Sequence, residues 1–587
     1  MDIYAPLIMQ TAGYLTAALA VWILIRCAVS MLQEKYEPEV WAYLEMPDGS
    51  SRPIHNWECI LGRSRSSDIL LKERGVGRSH AALQRSARGR WLIYDLHSRH
   101  GGGTFVNDAP VAESARLRNG DTLRLGEAEL QFIALSSAQR KTLQRHRREP
   151  GHRVRPAVTL ILLTLFQLLL TAQHAITAPA EDAPSVALAF GVVIALEWFC
   201  LLTVRAFALK GFEPETLAFF LSSVGLSVSA SSAPDEMLKA VLLLVLGVLL
   251  FALLGWWLRD LRRVKLLRWP MAFAAAAFLC VNLVLSERIF GAKNWLSIGG
   301  IMLQPSELVK VAYVYVGAAT IDRLFRRRNL ILFIGFSAFI VGTLALMGDF
   351  GTALVFFTCF LVISYMRSGS FATVLLAVSG AGLAGMLVLT VKPYVAQRFA
   401  SWGHVWEDPL GAGYQQVRAM SATASGGLFG QGAGNGWLRD VAAADTDLVF
   451  GMVSEELGLI VAFGCIAAVI LLALFAVRNA EDGRSAYYVI ASCASVTIML
   501  AQLALNVFGS LDILPFTGVT FPFVSKGGSS LISCWALLAY IKASDTRQNA
   551  SFALLRRFSR RDDEEAMVDG DADEEDGYDD EYEEDEG

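Results

Sequence analysis

Charged residues are scarce in this sequence. Asp, Glu, Lys and Arg make up 18% of its 587 residues, whereas 54% are hydrophobic. A typical soluble domain carries about 25% charged residues. The shortage excludes an ordinary soluble protein and indicates a membrane protein.

Positive charge is missing from the C-terminal end. Residues 562–587 contain 17 Asp or Glu and no Lys or Arg. Such a segment has too little apolar surface to form a core. We therefore expect residues 546–587 to be an acidic, disordered tail on the cytoplasmic side.

Cysteine pairs at metal-ligand spacing are also missing. The eight cysteines stand singly along the chain, most of them inside apolar runs. This distribution argues against a disulfide framework and against a cysteine-based zinc site.

Long apolar runs are abundant instead. A membrane-spanning helix needs about 20 residues, and the sequence predicts a mostly α-helical, polytopic membrane protein with about thirteen spans. The runs lie near residues 6–28, 157–178, 185–207, 214–231, 237–257, 271–288, 306–323, 329–347, 350–366, 371–391, 449–477, 485–509 and 528–543.

Lys and Arg in short loops predict the orientation, because such loops favour the cytoplasmic side of the membrane. The basic runs are 144–155, 258–268, 322–329 and 542–561, and all four are predicted to be cytoplasmic. The longest loop of the membrane part, 392–448, then lies on the outer face.

The segment between the first two spans has a different pattern. The short runs VWAYLEM, RWLIYDL and AELQFIAL alternate with turn signals, which predicts an inserted, cytoplasmic β-sandwich. The predicted division is 1–37 transmembrane anchor, 38–136 β-sandwich, 137–156 basic linker, 157–213 two transmembrane helices, 214–545 membrane core and 546–587 tail.

The sandwich segment contains LGRSRSSDILL, GVGRSHAAL and HGGGTFVND, and it resembles the forkhead-associated (FHA) family. The resemblance implies a phosphothreonine protein as partner, since guanidinium groups offer fixed donors to a phosphate. The residues at the family's ligand positions are Arg63, Arg78, Thr104 and Asn107. Gly77 replaces a phosphate-contacting Ser, and the alternative is a sandwich that only packs against a partner.

The membrane core contains NWLSIGG, QPSELVK, GDFGTALV, DPLGAGYQ, DTDLVFGMVSEELG and LPFTGVTFPFVSKGGSS in this order. These motifs resemble the SEDS family of RodA and FtsW. The resemblance implies a ten-helix fold in the bacterial cytoplasmic membrane that polymerises lipid II into peptidoglycan glycan strands beside a class B penicillin-binding transpeptidase. The anchor, the FHA-like insert and the helices near 157–178 and 185–207 are additional to that pattern.

The resemblance implies that Asp447 is essential, because it matches the Asp of the family's TDF motif. A positioned carboxylate can accept the proton of the attacking sugar hydroxyl. The leaving pyrophosphate needs positive charge, for which Arg398 is the first candidate and Lys526 the second. Gln415 and Ser525 complete the predicted substrate-binding set.

Glu307 and Lys310 form a second candidate group. They stand three residues apart in QPSELVK, where one helix face allows them to neutralise each other. They match a family pair that the resemblance implies is structural or involved in activation by the partner.

Two positions depart from the family pattern. Asp445 stands where the family has His, and Lys526 stands where it has Tyr. Carboxylates as close as Asp445 and Asp447 can raise one another's pKa or hold a divalent cation. One hypothesis is that Asp445 helps to bind Mg²⁺ or Mn²⁺, and the alternative is a solvated Asp445 without a role. No organic cofactor and no nucleic acid are expected.

The leading function is a peptidoglycan glycosyltransferase acting in cell elongation, division or shape control. A lipid II transporter (flippase) is an alternative, because intramembrane charges also occur in proteins that move lipids. A non-catalytic, FHA-bearing scaffold is the third reading. The retention of Asp447, Glu307, Lys310 and Arg398 argues against it.

Overall fold

The computed structural model describes two parts of the chain, a β-sandwich and a large helical bundle. The described residues are 5–551 without 34–37, 65–66, 86–88, 97–101, 137–138, 140–141, 144–153, 208, 287–292, 299–300, 321–326, 392–395, 397–398 and 548–550. Most of the predicted basic linker and of the acidic tail lies outside these residues.

The sandwich consists of two sheets. One has the order β2-β1-β11-β10-β7-β8 and the other β4-β3-β5-β6-β9, and all pairs are antiparallel except β3 with β4. Trp91 and Phe132 meet edge to face between the sheets. The strands are β1 Ala42–Glu45, β2 Ser51–Ile54, β3 Glu58–Gly62, β4 Ile69–Leu70, β5 Ala81–Arg85, β6 Trp91–Asp95, β7 Thr104–Val106, β8 Ala109–Pro110, β9 Ser114–Leu117, β10 Thr122–Leu125 and β11 Ala128–Ala134. The predicted β-sandwich is confirmed.

Helices account for most of the remaining described residues. They are α1 Ala5–Gln33, α2 Pro156–Thr177, α3 Ala183–Ala206, α4 Glu213–Ser232, α5 Met237–Trp257, α6 Leu261–Leu266, α7 Arg268–Leu285, α8 Pro305–Thr320, α9 Arg327–Met347, α10 Phe350–Ser368, α11 Phe371–Val391, α12 Tyr414–Gly426, α13 Val449–Glu481, α14 Ala486–Ser510 and α15 Gly528–Ala543. A short hairpin, β12 Leu296–Ile298 and β13 Ile301–Leu303, precedes α8.

Each of the thirteen predicted spans coincides with one of these helices. Ten helices in the described part of the chain are long and apolar enough to cross a membrane. The other three, α4, α8 and α15, are shorter or carry more polar residues, and nearly all of their side chains are buried in the bundle. The mostly α-helical, multi-pass membrane fold is therefore confirmed.

The sandwich docks on the beginning of α14. The backbone N–H of Trp57 donates to the carbonyl of Arg484 at 2.7 Å. The Glu58 carboxylate accepts the backbone N–H of Ala486 at 3.1 Å and the Ser485 hydroxyl at 3.3 Å. We call this end of the bundle, around Arg484 to Ala486, the sandwich end. The opposite end, around Asn506 and Asp447, is the distal end, since 20 helical residues span about 30 Å.

Buried ion pairs join the N- and C-terminal parts of the bundle at the sandwich end. The Arg547 guanidinium contacts Asp545 at 2.8 Å and Glu213 at 2.9 Å, and Ser30 donates to Glu213 at 2.7 Å. Burial lowers the pKa of Arg547, but the Asp545 and Glu213 carboxylates outweigh it and raise that pKa well above its ordinary value. Arg547 therefore remains charged, and it ties α1 and α4 to the segment after α15.

We predict that Glu58→Ala loosens the docking of the sandwich. The change removes the acceptor of the Ala486 amide, and a hydrogen bond to a charged group contributes about 1.5–3 kcal/mol. Hydrogen exchange at residues 484–488 is expected to accelerate by roughly tenfold or more. Glu129→Ala, at an exposed site on β11, is the control and leaves this exchange unchanged. Equal exchange in the two variants would contradict the docking contact.

Candidate active site at the distal end

Asp447 lies at the distal end, two residues before α13 begins. Its backbone is held by Asn506 of α14, whose side-chain amide donates to the carbonyls of Asp447 at 3.1 Å and Val519 at 2.8 Å. Gly518 faces the carboxylate so closely that a Cβ there would come within 2.9 Å of Oδ2, and its φ of +65° also favours glycine. The Asp447 side chain, half-buried, is thus placed by two neighbouring segments.

The two positions that depart from the SEDS pattern contact each other. The Lys526 ammonium lies 3.5 Å from the Asp445 carboxylate and 3.4 Å from that of Glu236. The Lys526 backbone N–H also donates to the Asp445 carbonyl at 2.8 Å. A carboxylate in place of His and an ammonium in place of Tyr therefore form one ion pair beside Asp447.

This ion pair bears on the expected divalent cation. Asp445 was predicted as a ligand, but the structure pairs it with an ammonium group, which repels a metal ion. Within the described residues, no group of three or more His, Cys, Asp or Glu side chains is arranged to hold a metal. The residues at this position do not fit a metal site, and the cation stays a prediction through which we derive no step.

Ser525 and Gln415 stabilise backbone at the distal end. The Ser525 hydroxyl donates to the Thr446 carbonyl at 2.6 Å and accepts the Phe521 N–H at 2.8 Å. The Gln415 amide donates to the Ala442 carbonyl at 3.0 Å. These hydrogen bonds hold the segment 442–447, and the substrate-binding role of Ser525 and Gln415 stays a prediction. Arg398, the first candidate for the pyrophosphate, lies outside the described residues.

Glu455 and Glu456 bind the loop that leads to Asp447. The two Glu455 carboxylate oxygens accept the backbone N–H groups of Trp437 at 3.1 Å and Leu438 at 3.0 Å. Glu456 Oε2 accepts the N–H of Gly434 at 3.0 Å and the Ser231 hydroxyl at 2.6 Å. These carboxylates thus organise residues 434–438, which we call the amide loop.

The model of the FtsW/RodA/SpoVE family, described as cell cycle protein, matches residues 216–549, more than half of the chain. The chain belongs to this family. A model of the FHA domain matches residues 59–126.

Three similar proteins illustrate the relationship. Peptidoglycan glycosyltransferase RodA of Mycobacterium tuberculosis is 28% identical over 329 residues, which are 53% of this chain and 69% of that protein. The probable peptidoglycan glycosyltransferase FtsW of Tolumonas auensis is 32% identical over 285 residues, 46% of this chain and 73% of that protein. A solved structure of a peptidoglycan synthase complex contains a chain 26% identical, with a TM-score of 0.47, over 56% of this chain and 96% of that one.

The FtsW/RodA/SpoVE match begins within α4. Ten of the described helices from α4 to α15, all except the short α6 and α12, correspond to the ten-helix fold expected for the family. Helices α1, α2 and α3 precede the matched region and are additions to it.

The Glu307 and Lys310 side chains form a buried ion pair in this family member. Their charged atoms are 2.7 Å apart, and 3% and 1% of the side chains are exposed. The Ser533 hydroxyl of α15 donates to the second Glu307 oxygen at 3.0 Å. The pair therefore links α8 to α15, and a role in activation stays a prediction.

The four candidate ligand residues of the FHA domain fall into two groups. Arg63 and Arg78 are exposed on adjoining loops, where the Arg63 N–H donates to the Gly77 carbonyl at 2.9 Å. Arg63 follows the end of β3, whereas Glu58 at its beginning contacts α14. The two arginines therefore lie on the side of the domain away from the helices.

The other two residues are engaged inside the FHA domain. Thr104 is 2% exposed and donates to the Asp95 carboxylate at 2.8 Å. The Asn107 side chain contacts Asp121 and the Thr122 N–H, both at 2.9 Å. Thr104 and Asn107 thus make contacts within the domain, and their role in ligand binding stays a prediction.

Asn506 and Glu236 are site residues that the sequence analysis missed. Asn506 is 1% exposed in an apolar helix, and a buried amide inside such a run is a signal that could have been used. Glu236 gave no comparable signal, because it stands in a short polar turn between two spans.

We predict that Lys310→Met destabilises the protein because it leaves Glu307 buried without its partner charge. Removing one partner of a buried ion pair costs about 3–5 kcal/mol, and the midpoint of thermal unfolding in detergent should fall clearly. Glu307→Gln combined with Lys310→Met should recover part of this loss. Lys239→Met is the control, since Lys239 belongs to an exposed pair with the same spacing. Equal midpoints for Lys310→Met and Lys239→Met would contradict the prediction.

Proposed function

We propose that this chain is a peptidoglycan glycosyltransferase that polymerises lipid II into glycan strands at the outer face of the cytoplasmic membrane. It would act in cell elongation, division or shape control. The observation that carries the proposal is the placement of Asp447 at the distal end by Asn506, Gly518 and the amide loop. Membership of the FtsW/RodA/SpoVE family and the activity named for its relatives support it.

The chemistry fits the position of Asp447. Chain extension requires a sugar hydroxyl to attack the anomeric carbon of a polyprenyl-pyrophosphate donor, so that a C–O bond forms and the pyrophosphate leaves. Asp447 would accept the hydroxyl proton, and general base catalysis of this kind contributes roughly 10²- to 10⁴-fold. A substrate that is half lipid and half sugar would meet such a carboxylate at a helix end.

Among the described residues, Lys526 is our candidate cation for the leaving pyrophosphate. A quarter of its side chain is exposed, and Asp445 and Glu236 hold its ammonium from two sides. Fixed positive charge stabilises the negative charge that develops on a leaving group. The ion pair would thus keep Lys526 aimed beside Asp447.

The charges of the described loops support the proposed orientation. The segment between α5 and α7 contains Arg259, Arg262, Arg263 and Lys265, and it lies at the sandwich end, where the Tyr488 hydroxyl donates to the Leu258 carbonyl at 2.7 Å. Lys542 and Arg547 lie at the same end. Since basic residues favour the cytoplasmic side, the FHA domain and the tail would be cytoplasmic and the distal end would face outward. The bundle would then present Asp447 where lipid II is available.

Two partners follow from this proposal. The family resemblance supports a class B penicillin-binding transpeptidase that crosslinks the new strands. The exposed Arg63 and Arg78 support a phosphothreonine protein bound by the FHA domain in the cytoplasm.

We predict that Asp447→Asn abolishes polymerisation. The purified full chain, with its transpeptidase, is incubated with lipid II, and glycan strands are separated by length. The wild type should form polymer, whereas Asp447→Asn should lose about 10²-fold or more of the rate because the amide cannot accept the proton. Asp440→Asn, at an exposed position in the same distal loop, is the control and retains activity.

The outcomes separate the candidate functions. Polymer from Asp447→Asn at the wild-type rate would rule out Asp447 as the base. If the wild type forms no polymer with its partner present but moves labelled lipid II across liposomes, the transporter replaces the glycosyltransferase. A protein that shows neither polymerisation nor lipid II movement would favour the scaffold.

We predict that the FHA domain of the full chain binds phosphothreonine peptides and that Arg63→Ala weakens this binding by roughly tenfold or more, since charge-assisted bonds to the phosphate are lost. Binding is measured by fluorescence polarisation with a phosphothreonine peptide library and its unphosphorylated counterpart. Arg116→Ala, exposed on β9, is the matched control. A wild type that binds no member of the library would exclude phosphothreonine recognition.

A further inference from the structure

The added helix α2 is attached to the family's bundle by hydrogen bonds between buried side chains. The Gln167 amide donates to the Ser223 hydroxyl of α4 at 2.9 Å, and His174 Nε2 lies 2.8 Å from the Ser227 hydroxyl. All four side chains are almost completely buried. Ser223 and Ser227 are one helical turn apart, so the two contacts fix the axial position of α2 relative to α4.

The distal end of α2 contacts the residue before the amide loop. Gln173 Oε1 accepts the backbone N–H of Ala433 at 3.0 Å. The Thr177 hydroxyl donates to the backbone carbonyl of the same residue at 3.0 Å. Both backbone polar groups of Ala433, which is fully buried, are therefore satisfied by side chains of α2.

The amide loop is thus held from two sides. Gly434, the next residue, donates its N–H to Glu456 of α13, while Ala433 is held by α2. Helix α1 adds a contact nearby, where the rings of Tyr14 and Phe429 meet at 4.5 Å. From this point the chain passes through the amide loop directly to Asp447.

We propose that Gln173 and Thr177 are positioning residues that hold the amide loop and thereby set the placement of Asp447 for catalysis. The inference rests on the proposed glycosyltransferase function and extends it, because α2 lies outside the family match. Side chains that satisfy a buried peptide group restrict its motion, and small misplacements of a catalytic group are costly in rate. Helix α2, although added to the family's bundle, then contributes to the positioning of the catalytic Asp447.

A purely structural role for α2 is distinguishable from positioning. Loss of packing would lower the thermal midpoint and the amount of folded protein. Loss of positioning would lower kcat of the folded protein, while KM for lipid II stays unchanged because α2 holds the loop and not the substrate.

The test uses the full chain in nanodiscs with two near-isosteric changes. Gln173→Met and Thr177→Val each remove one hydrogen bond to Ala433. Thr177→Ser keeps the hydroxyl and should restore the wild-type behaviour. Thr171→Val is the matched control, since Thr171 donates to the Gln167 carbonyl of its own helix.

Two readouts are measured on each variant. Hydrogen exchange of the Ala433 amide should accelerate about tenfold in Gln173→Met, because its acceptor is lost. The kcat for lipid II polymerisation should fall roughly three- to tenfold in Gln173→Met and Thr177→Val, with KM unchanged. Thr171→Val and Thr177→Ser should match the wild type in both.

Unchanged exchange at Ala433 in Gln173→Met would overturn the inference, because the contact would then not hold the loop. Faster exchange with wild-type kcat would overturn it as well, since the loop would not govern Asp447. A wild type that forms no polymer would remove the proposed function itself, and with it this role. Failure of the proposed function is seen in the wild-type protein, which would form no polymer. Failure of the positioning role is seen only when the variants are compared with an active wild type.

Discussion

The distal end depends on two carboxylates that accept backbone N–H groups inside an apolar bundle. Glu455 accepts from Trp437 and Leu438, and Glu456 accepts from Gly434. A charge at the centre of a membrane helix costs roughly 2.5–3.5 kcal/mol on insertion scales, and hydrogen bonds to backbone groups offset that cost. Because these N–H donors all belong to the amide loop, the hydrogen bonds that stabilise the carboxylates also fix the path of the chain toward Asp447.

The same physical requirement recurs through the bundle. Glu307 with Lys310 joins α8 to α15, and Glu213 with Arg547 joins α4 to the segment after α15. Breaking a buried pair costs more than an isolated hydrogen bond, since it leaves a charge in a low-dielectric interior. These two buried ion pairs thus fix the positions of the segments that they join.

Helix α14 connects the two functional ends of the molecule. At the sandwich end, Glu58 of the FHA domain accepts the N–H of Ala486. At the distal end, Asn506 donates to the backbone of Asp447. One continuous helix therefore contacts both the FHA domain and the segment of the proposed base.

Local features could be predicted from the sequence, and contacts between distant segments could not. The pairing of Glu307 with Lys310 follows from a spacing of three residues on a helix, and the apolar runs fixed the helix positions. The contact of Asp445 with Lys526 joins residues from two separate loops. Because the sequence does not show which loops meet, Asp445 was interpreted as a metal ligand without regard to this contact. The sequence likewise could not show that the Ser525 hydroxyl bonds to the backbone of Thr446 and Phe521, because these partners lie in other parts of the loops. The binding of the amide loop by Glu455 could not be predicted either, because its donors are backbone N–H groups, which every residue type except proline carries.

Hydrogen exchange of the amide-loop N–H groups in the Glu455→Gln variant tests most directly whether these carboxylates organise the distal end. Glutamine has one side-chain oxygen that can accept a hydrogen bond, whereas Glu455 accepts with both of its carboxylate oxygens. Glu456→Gln is the control, because one oxygen is enough to accept the Gly434 N–H. The amides of Trp437 and Leu438 should exchange about tenfold or more faster in Glu455→Gln and remain nearly unchanged in Glu456→Gln. Exchange at wild-type rates in Glu455→Gln would contradict the structural role assigned to this carboxylate.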